Sequence, residues 1–177
     1  MAAGRLRHAV TTISPATTAS ELDACRALIG AFIGWHRLRH SADSALLDEY
    51  YEPADIDAEL DALPGAYAPP DGQLLLARVG GEAAGCVALR RLDARACEMK
   101  RMYIDPRFRG RGVALALGQA IIQYARDAGY STMWLDTSIR QPEAQALYAK
   151  LGFSRSEPYY ELSPALRDWL VFFEMRL

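Results

Sequence analysis

The sequence has few cysteines and no paired cysteine motif. Its 177 residues include three, Cys25, Cys86 and Cys97, with no C-x-x-C spacing. An odd number without such a pair argues against a disulfide framework or a zinc site and suits a cytoplasmic location. Excess charge is missing too, since the formal net charge is -2. Neither nucleic acid nor an anionic membrane surface is therefore expected as a partner.

Long apolar runs and targeting patterns are also absent. The longest charge-free helical stretch, 112–125, is too short to span a bilayer. Arg5, Arg7 and His8 are not followed by the apolar run of a secretory signal. The length fits one domain, which we assign to residues 1–177.

The apolar residues follow helical spacing in some segments and strand-like runs in others. A weak capping signal at Ser20 and Asp23 and helical periodicity predict a first helix, and 45–63 predicts further helix. Gly80-Gly81 and Asp93-Ala94 separate three short apolar runs, which predict consecutive antiparallel strands over 73–79, 83–92 and 96–104. The remaining predicted elements are a strand over 6–13, a helix over 112–128, a strand over 132–136, a helix over 142–152 and strands after 153 and 169. Together they predict an α+β (mixed α/β) domain with one central sheet and helices on both faces.

The turn between the strand over 96–104 and the next helix carries the strongest local signal. It reads Arg109-Gly110-Arg111-Gly112-Val113-Ala114. Glycines let a phosphate approach the unpaired N–H groups of a helix start. A P-loop is excluded because no Gly-Lys-Ser/Thr occurs, and Leu115 occupies the position of the third glycine of a dinucleotide fingerprint. A basic surface loop is the alternative interpretation.

Two motifs resemble a known family. Arg109-x-x-Gly112-x-Ala114 after a strand is similar to the acyl-CoA signature of the GNAT superfamily of N-acetyltransferases. Ala144-x-x-Leu147-Tyr148-x-Lys150-x-Gly152-Phe153 is similar to the family's final helix and turn. The resemblance runs from about Ser20 to the C-terminus. It implies a twisted, mostly antiparallel sheet of six to seven strands with about four helices on both faces.

The resemblance also implies a reaction. The chain would transfer an acetyl group from acetyl-CoA, its co-substrate, to a primary amine of a small molecule, amino acid or peptide by direct attack in a ternary complex. A non-catalytic acyl-CoA-binding regulatory module is the alternative. By resemblance, the backbone of three strand residues pairs with the pantetheine arm, Gln141 stands where the family often has asparagine, and the pyrophosphate binds at the turn. The implied donor-binding residues are Met102, Tyr103, Ile104, Arg109, Gly110, Arg111, Gly112, Val113, Ala114 and Gln141.

Acyl transfer to an amine needs a proton acceptor and stabilisation of the leaving thiolate. Glu98 lies in the predicted strand eleven residues before Arg109, where some GNAT enzymes carry a general base. Burial would raise its pKa, but a structural ion pair with Lys100 or an arginine is the alternative. Tyr148 is the candidate proton donor to the thiolate, and a packing tyrosine is the alternative.

The acceptor side has weaker signals. Residues 41–77 contain nine carboxylates and no lysine or arginine, so part of this acidic run is expected to attract a cationic amine, with a solvated helix face as the alternative. Asp136 and Tyr159-Tyr160 are further possible cleft residues. His36 and His40 lack the glutamate of an H-E-x-x-H motif, so no metal is predicted. The apolar strand 169–173 is interpreted as either a core strand or an exchange element of a homodimer.

Overall fold

A computed structural model of the protein describes residues 10–177. The strand predicted over 6–13 begins outside the described residues, and its described part extends to Pro15. One seven-stranded sheet has the order β1-β2-β3-β4-β5-β7-β6, and only β4 and β5 pair in parallel. The predicted mostly antiparallel sheet is therefore confirmed. The strands are β1 Thr11–Pro15, β2 Gln73–Val79, β3 Glu82–Arg91, β4 Ala96–Ile104, β5 Thr132–Ser138, β6 Ser154–Ser156 and β7 Leu170–Arg176.

The described residues form six α-helices, where about four were predicted. The predicted region 45–63 divides at Pro53, whose fixed φ and missing N–H suit the first turn of a new helix. A short helix before β7 was not predicted. The helices are α1 Ala19–Arg39, α2 Ser44–Tyr50, α3 Pro53–Asp61, α4 Val113–Asp127, α5 Pro142–Leu151 and α6 Pro164–Trp169.

The capping signal at Ser20 and Asp23 is wrong by two residues. Thr18 is the N-cap of α1, and its hydroxyl accepts from the backbone N–H of Glu21 at 3.3 Å. The Glu21 carboxylate in turn accepts from the backbone N–H of Thr18 at 2.9 Å. This reciprocal pair satisfies two N–H groups at the helix start, which a cap at Ser20 would leave unpaired.

Alternating side chains of the sheet build a core on each face. On β2, Leu75 packs in the cluster that contains Leu117 of α4, whereas Leu74 packs in the cluster that contains Ile29 of α1. Strand β7 lies between β5 and β6 with Phe173 buried, so the C-terminal segment is a core strand of this chain. Within residues 10–177 no helix has the length and apolar character required to cross a membrane.

Strands β4 and β5 diverge after a short stretch of pairing. Their register joins 96–98 to 132–134 and goes no further, although β4 continues to Ile104 and β5 to Ser138. On the other side of β4, the register with β3 shifts between Cys86 and Ala88, and Arg101 has a φ of 56°. This bulge bends β4 away from β5, and the opening between the two strands holds the candidate site.

Candidate functional site

A cavity of about 300 Å³ occupies the gap between the diverging strands. We call it the first cavity. Side chains from α1, β4, α4, β5 and α5 line it, so segments more than a hundred residues apart in sequence meet there. It brings together seven predicted site residues, namely Met102, Tyr103, Ile104, Arg109, Ala114, Gln141 and Tyr148.

The N-terminus of α4 opens beside the first cavity. Gly112 is the N-cap with a φ of 79°, and Gly110 has a φ of 72°, conformations that favour glycine. The first N–H groups of this helix have no acceptor within the helix and carry partial positive charge. Val113 is buried, so it offers only its backbone. The local geometry therefore leaves backbone N–H groups and partial positive charge at the predicted turn.

Arg109 extends over the mouth of the first cavity. Its guanidinium lies 5.2 Å from the ring centroid of Trp35 and 5.8 Å from that of Tyr103. Its Nε donates to the carbonyl of Ile104 at 3.2 Å. These contacts hold a fixed cation near the helix N-terminus, where an entering phosphate would meet it.

Gln141 is fixed by side chains from another part of the fold. Its Oε1 accepts from His36 Nε2 at 3.2 Å and from Thr137 Oγ1 at 3.0 Å. Burial, with the neighbouring His40, lowers the pKa of His36 to about 3, so the ring is neutral and its Nδ1 accepts from Tyr51 at 3.1 Å. The Gln141 amide nitrogen has no partner among residues 10–177, and it remains available to a ligand in the first cavity.

Tyr148 is buried, but its hydroxyl faces the first cavity. Within the described chain this hydroxyl has no hydrogen-bond partner, and it is not sealed from the cavity. Burial raises the pKa of Tyr148 well above its usual value, and the nearby Asp136 charge adds to the effect. The phenol therefore keeps its proton at neutral pH and is free to donate it.

Glu98 lines a second cavity of about 790 Å³, whose wall also includes Arg90 of β3 and Trp134 of β5. Its carboxylate accepts from Arg90 at 2.5 Å, Tyr159 at 2.6 Å and Lys100 at 3.4 Å. Burial acts to raise the pKa of Glu98, but the charges of Lys100 and Arg90 and the hydrogen bonds outweigh it, and the pKa falls below its ordinary value. The expected raised pKa is thus wrong, and the ion pair given as the alternative is present.

The two cavities adjoin where they share lining residues. The shared side chains are Tyr50, Tyr51, Lys100 and Arg101. Two phenols and two cations therefore lie between the two cavities. Neither the sequence spacing nor the turn motif predicts this junction, because α2 and β4 meet only in the folded chain.

Asp136 is the carboxylate of β5 in the first cavity. Its two oxygens accept from Tyr50 at 2.5 Å and from Tyr160 at 2.7 Å. Across residues 10–177 it forms no salt bridge, unlike Glu98. Sequence reasoning placed Asp136 in the cleft without a role. A strand-end aspartate six residues before the start of a predicted helix gives no signal of its two phenol donors.

The Acetyltransferase (GNAT) family matches residues 35–153, which include β4, the α4 turn and α5. The chain belongs to the GNAT acetyltransferase family. An uncharacterised N-acetyltransferase of Schizosaccharomyces pombe is 43% identical over 108 residues, which are 60% of this chain and 66% of that protein. The N-acetylaspartate synthetase of Danio rerio is 38% identical over 91 residues, which are 50% of this chain and 32% of that protein.

Solved GNAT structures share the fold. The PaiA N-acetyltransferase of Thermoplasma acidophilum, crystallised with coenzyme A, superposes with a TM-score of 0.71 at 14% identity, covering 95% of this chain and 99% of that chain. Both the family resemblance and the fold class are thereby confirmed. The matched segments span from about a third to about two thirds of the two curated relatives' lengths.

In this GNAT domain most of the acidic run of 41–77 does not face the acceptor side. Three of its carboxylates form ion pairs outside both cavities, Glu59 pairs with Arg101 at the junction, and Glu49 is the carboxylate of the run that lines the second cavity. The geometry favours the solvated-face alternative over attraction of a cationic amine. The four pairs are Asp43–Arg140, Asp48–Arg37, Glu59–Arg101 and Asp71–Arg91.

Proposed function

We propose that this GNAT domain transfers the acetyl group of acetyl-CoA to a primary amine of a small molecule, amino acid or peptide. The supporting observation is the first cavity, where the open N-terminus of α4, the Gln141 amide and the Tyr148 hydroxyl converge. The pyrophosphate would bind at 109–114. The pantetheine arm would pair with the backbone of 102–104, which β5 leaves free. A cytoplasmic location and a homodimer stay predictions.

The reaction proposed for this site is direct attack in a ternary complex. The neutral amine nitrogen attacks the thioester carbon, and the carbon–sulfur bond breaks. The nitrogen gives a proton to a carboxylate, and the coenzyme A sulfur takes a proton from Tyr148, which recovers one from solvent. The unpartnered hydroxyl of Tyr148 at the first cavity supports this direction of transfer.

Two carboxylates are candidates for accepting the amine proton. Glu98, the candidate from the sequence, is held by two cations that favour its ionised form and weaken it as a base. Asp136 lies in the same cavity as Tyr148, and its hydrogen-bond donors among residues 10–177 are two neutral phenols. The geometry therefore favours Asp136 as the base and Glu98 as part of the acceptor wall.

Arg109→Glu is expected to weaken acetyl-CoA binding by about tenfold to a hundredfold. The change removes a charge-assisted phosphate contact, typically worth about 1.5–3 kcal/mol, and adds a repelling charge. Calorimetric titration with acetyl-CoA measures it. Arg126→Glu, near the far end of α4, is the matched control. Equal binding by Arg109→Glu and wild type would contradict the proposed donor site.

Tyr148→Phe is expected to lower kcat by about tenfold to a hundredfold while KM for acetyl-CoA changes little. The phenylalanine keeps the buried ring and removes only the proton donor. The expected loss of rate lies at or just below the usual range for general acids, because a thiolate leaves readily. Thiol release with a standard amine gives both constants. An unchanged kcat would assign Tyr148 to packing alone. Acetyl-CoA binding without transfer to any amine would favour the regulatory module.

A further inference from the structure

We propose that the acceptor is an amino acid, whose carboxylate binds Lys100 and Arg101 at the junction of the two cavities while its amine faces Asp136. This inference rests on the proposed function and names the class of acceptor that the second cavity would bind. It is carried by one buried guanidinium with an unused edge and by the weakly paired ammonium of Lys100 beside it.

Arg101 presents a free guanidinium edge at the junction. Its Nε and Nη2 donate to the two carboxylate oxygens of Glu59, each at 2.7 Å. Its side chain is 7% exposed, yet Nη1 has no partner within residues 10–177 and is not sealed from solvent. Since Arg101 lines both cavities, Nη1 opens into the space where they meet.

Three cations and four carboxylates line the second cavity. Arg90, Lys100 and Arg101 face only two partners, Glu59 and Glu98. Lys100 is 15% exposed, and its single carboxylate contact is long at 3.4 Å. Because the Lys100 and Arg101 side chains are largely withdrawn from water, an anionic ligand group placed between them would be stabilised. The other lining carboxylates, Glu49, Asp93 and Glu161, are exposed.

The order of charges across the junction matches an amino acid. Lys100 and Arg101 belong to β4. Tyr50 lines the cavity with them and donates a hydrogen bond to Asp136 in the first cavity. A carboxylate on the two cations would leave the amine of the same molecule directed toward Asp136 and the thioester. The acceptor side chain would extend along Trp134 and Tyr159.

The test compares kcat/KM for amino acids and for the amines that lack their carboxylate. Alanine and ethylamine, and phenylalanine and 2-phenylethylamine, are suitable pairs. The wild type is expected to prefer the amino acid by about tenfold to a hundredfold. Lys100→Met should remove most of this preference, Lys100→Arg should retain it, and Arg91→Met, on a surface pair outside both cavities, should leave it unchanged.

A binding measurement separates failure of this inference from failure of the proposed function. Calorimetric titration of the same pairs into the coenzyme A complex reports acceptor affinity without turnover. Tighter binding of the amino acids, lost in Lys100→Met, supports the inference even when no acetyl group is transferred. Equal use or equal binding of amino acids and amines, or a preference that survives Lys100→Met, would overturn it.

Discussion

Asp136→Asn is expected to lower kcat by about a hundredfold to a thousandfold without a comparable loss of acetyl-CoA affinity. Asparagine keeps the size of the side chain and one acceptor oxygen, but it cannot take up the amine proton. General base catalysis usually contributes about 10²–10⁴-fold. The lower part of that range applies because some of the amine is already deprotonated in solution and needs no base to become neutral. Steady-state kinetics with an accepted amine, together with calorimetric titration of acetyl-CoA, measure both quantities.

Glu98→Gln is the matched control for this variant. It also neutralises one carboxylate of the site, but it acts on the one held by Arg90 and Lys100. We expect a decrease of about tenfold or less in kcat/KM, since the acceptor wall changes and the base remains. The rate of Asp136→Asn should recover as pH rises and free amine accumulates, whereas that of Glu98→Gln should follow the wild type. A large loss in Glu98→Gln beside a near-normal Asp136→Asn would assign the base to Glu98.

The parts of the site that sequence could predict are those built from neighbours in the chain. The glycines of 109–114 and the run from 144 to 153 each form one local unit, a helix start and a helix with its C-cap. Their chemistry depends on backbone conformation that glycine and spacing determine. The strands 73–79 and 96–104 were predicted with their observed bounds, because two glycines or Asp93 mark the hairpin turns.

The parts that sequence could not predict depend on contacts between distant segments. Whether Glu98 is a raised-pKa base or a paired anion depends on Arg90 of the neighbouring strand and on Tyr159, 61 residues away. Gln141 is oriented by His36, 105 residues away. Helical and strand periodicity places such residues on a face but does not identify their partners. The same limit explains why Asp136 had no assigned role.

Glu59→Leu is expected to destabilise the protein by about 3 kcal/mol, because it leaves the buried Arg101 charge without its partner. Removing one member of a buried pair typically costs about 3–5 kcal/mol, and the lower end applies because the Glu59 side chain is 26% exposed. The change also removes the hydrogen bond from Tyr67, 2.8 Å long. Urea unfolding followed by tryptophan fluorescence gives the free energy and its slope.

Two further variants show whether the loss comes from the unpaired charge. Glu82→Leu breaks the Glu82–Arg107 pair, whose side chains are 65% and 62% exposed, and should change stability by about 0.5 kcal/mol or less. Glu59→Leu combined with Arg101→Leu should recover part of the loss, since no charge then remains buried. If Glu59→Leu costs no more than Glu82→Leu, the pair does not anchor α3 to β4. Arg101 would have two roles, since one edge of its guanidinium joins α3 to the sheet and the other binds the acceptor. If the double variant has near-native stability but no preference for amino acids, the two roles are separate.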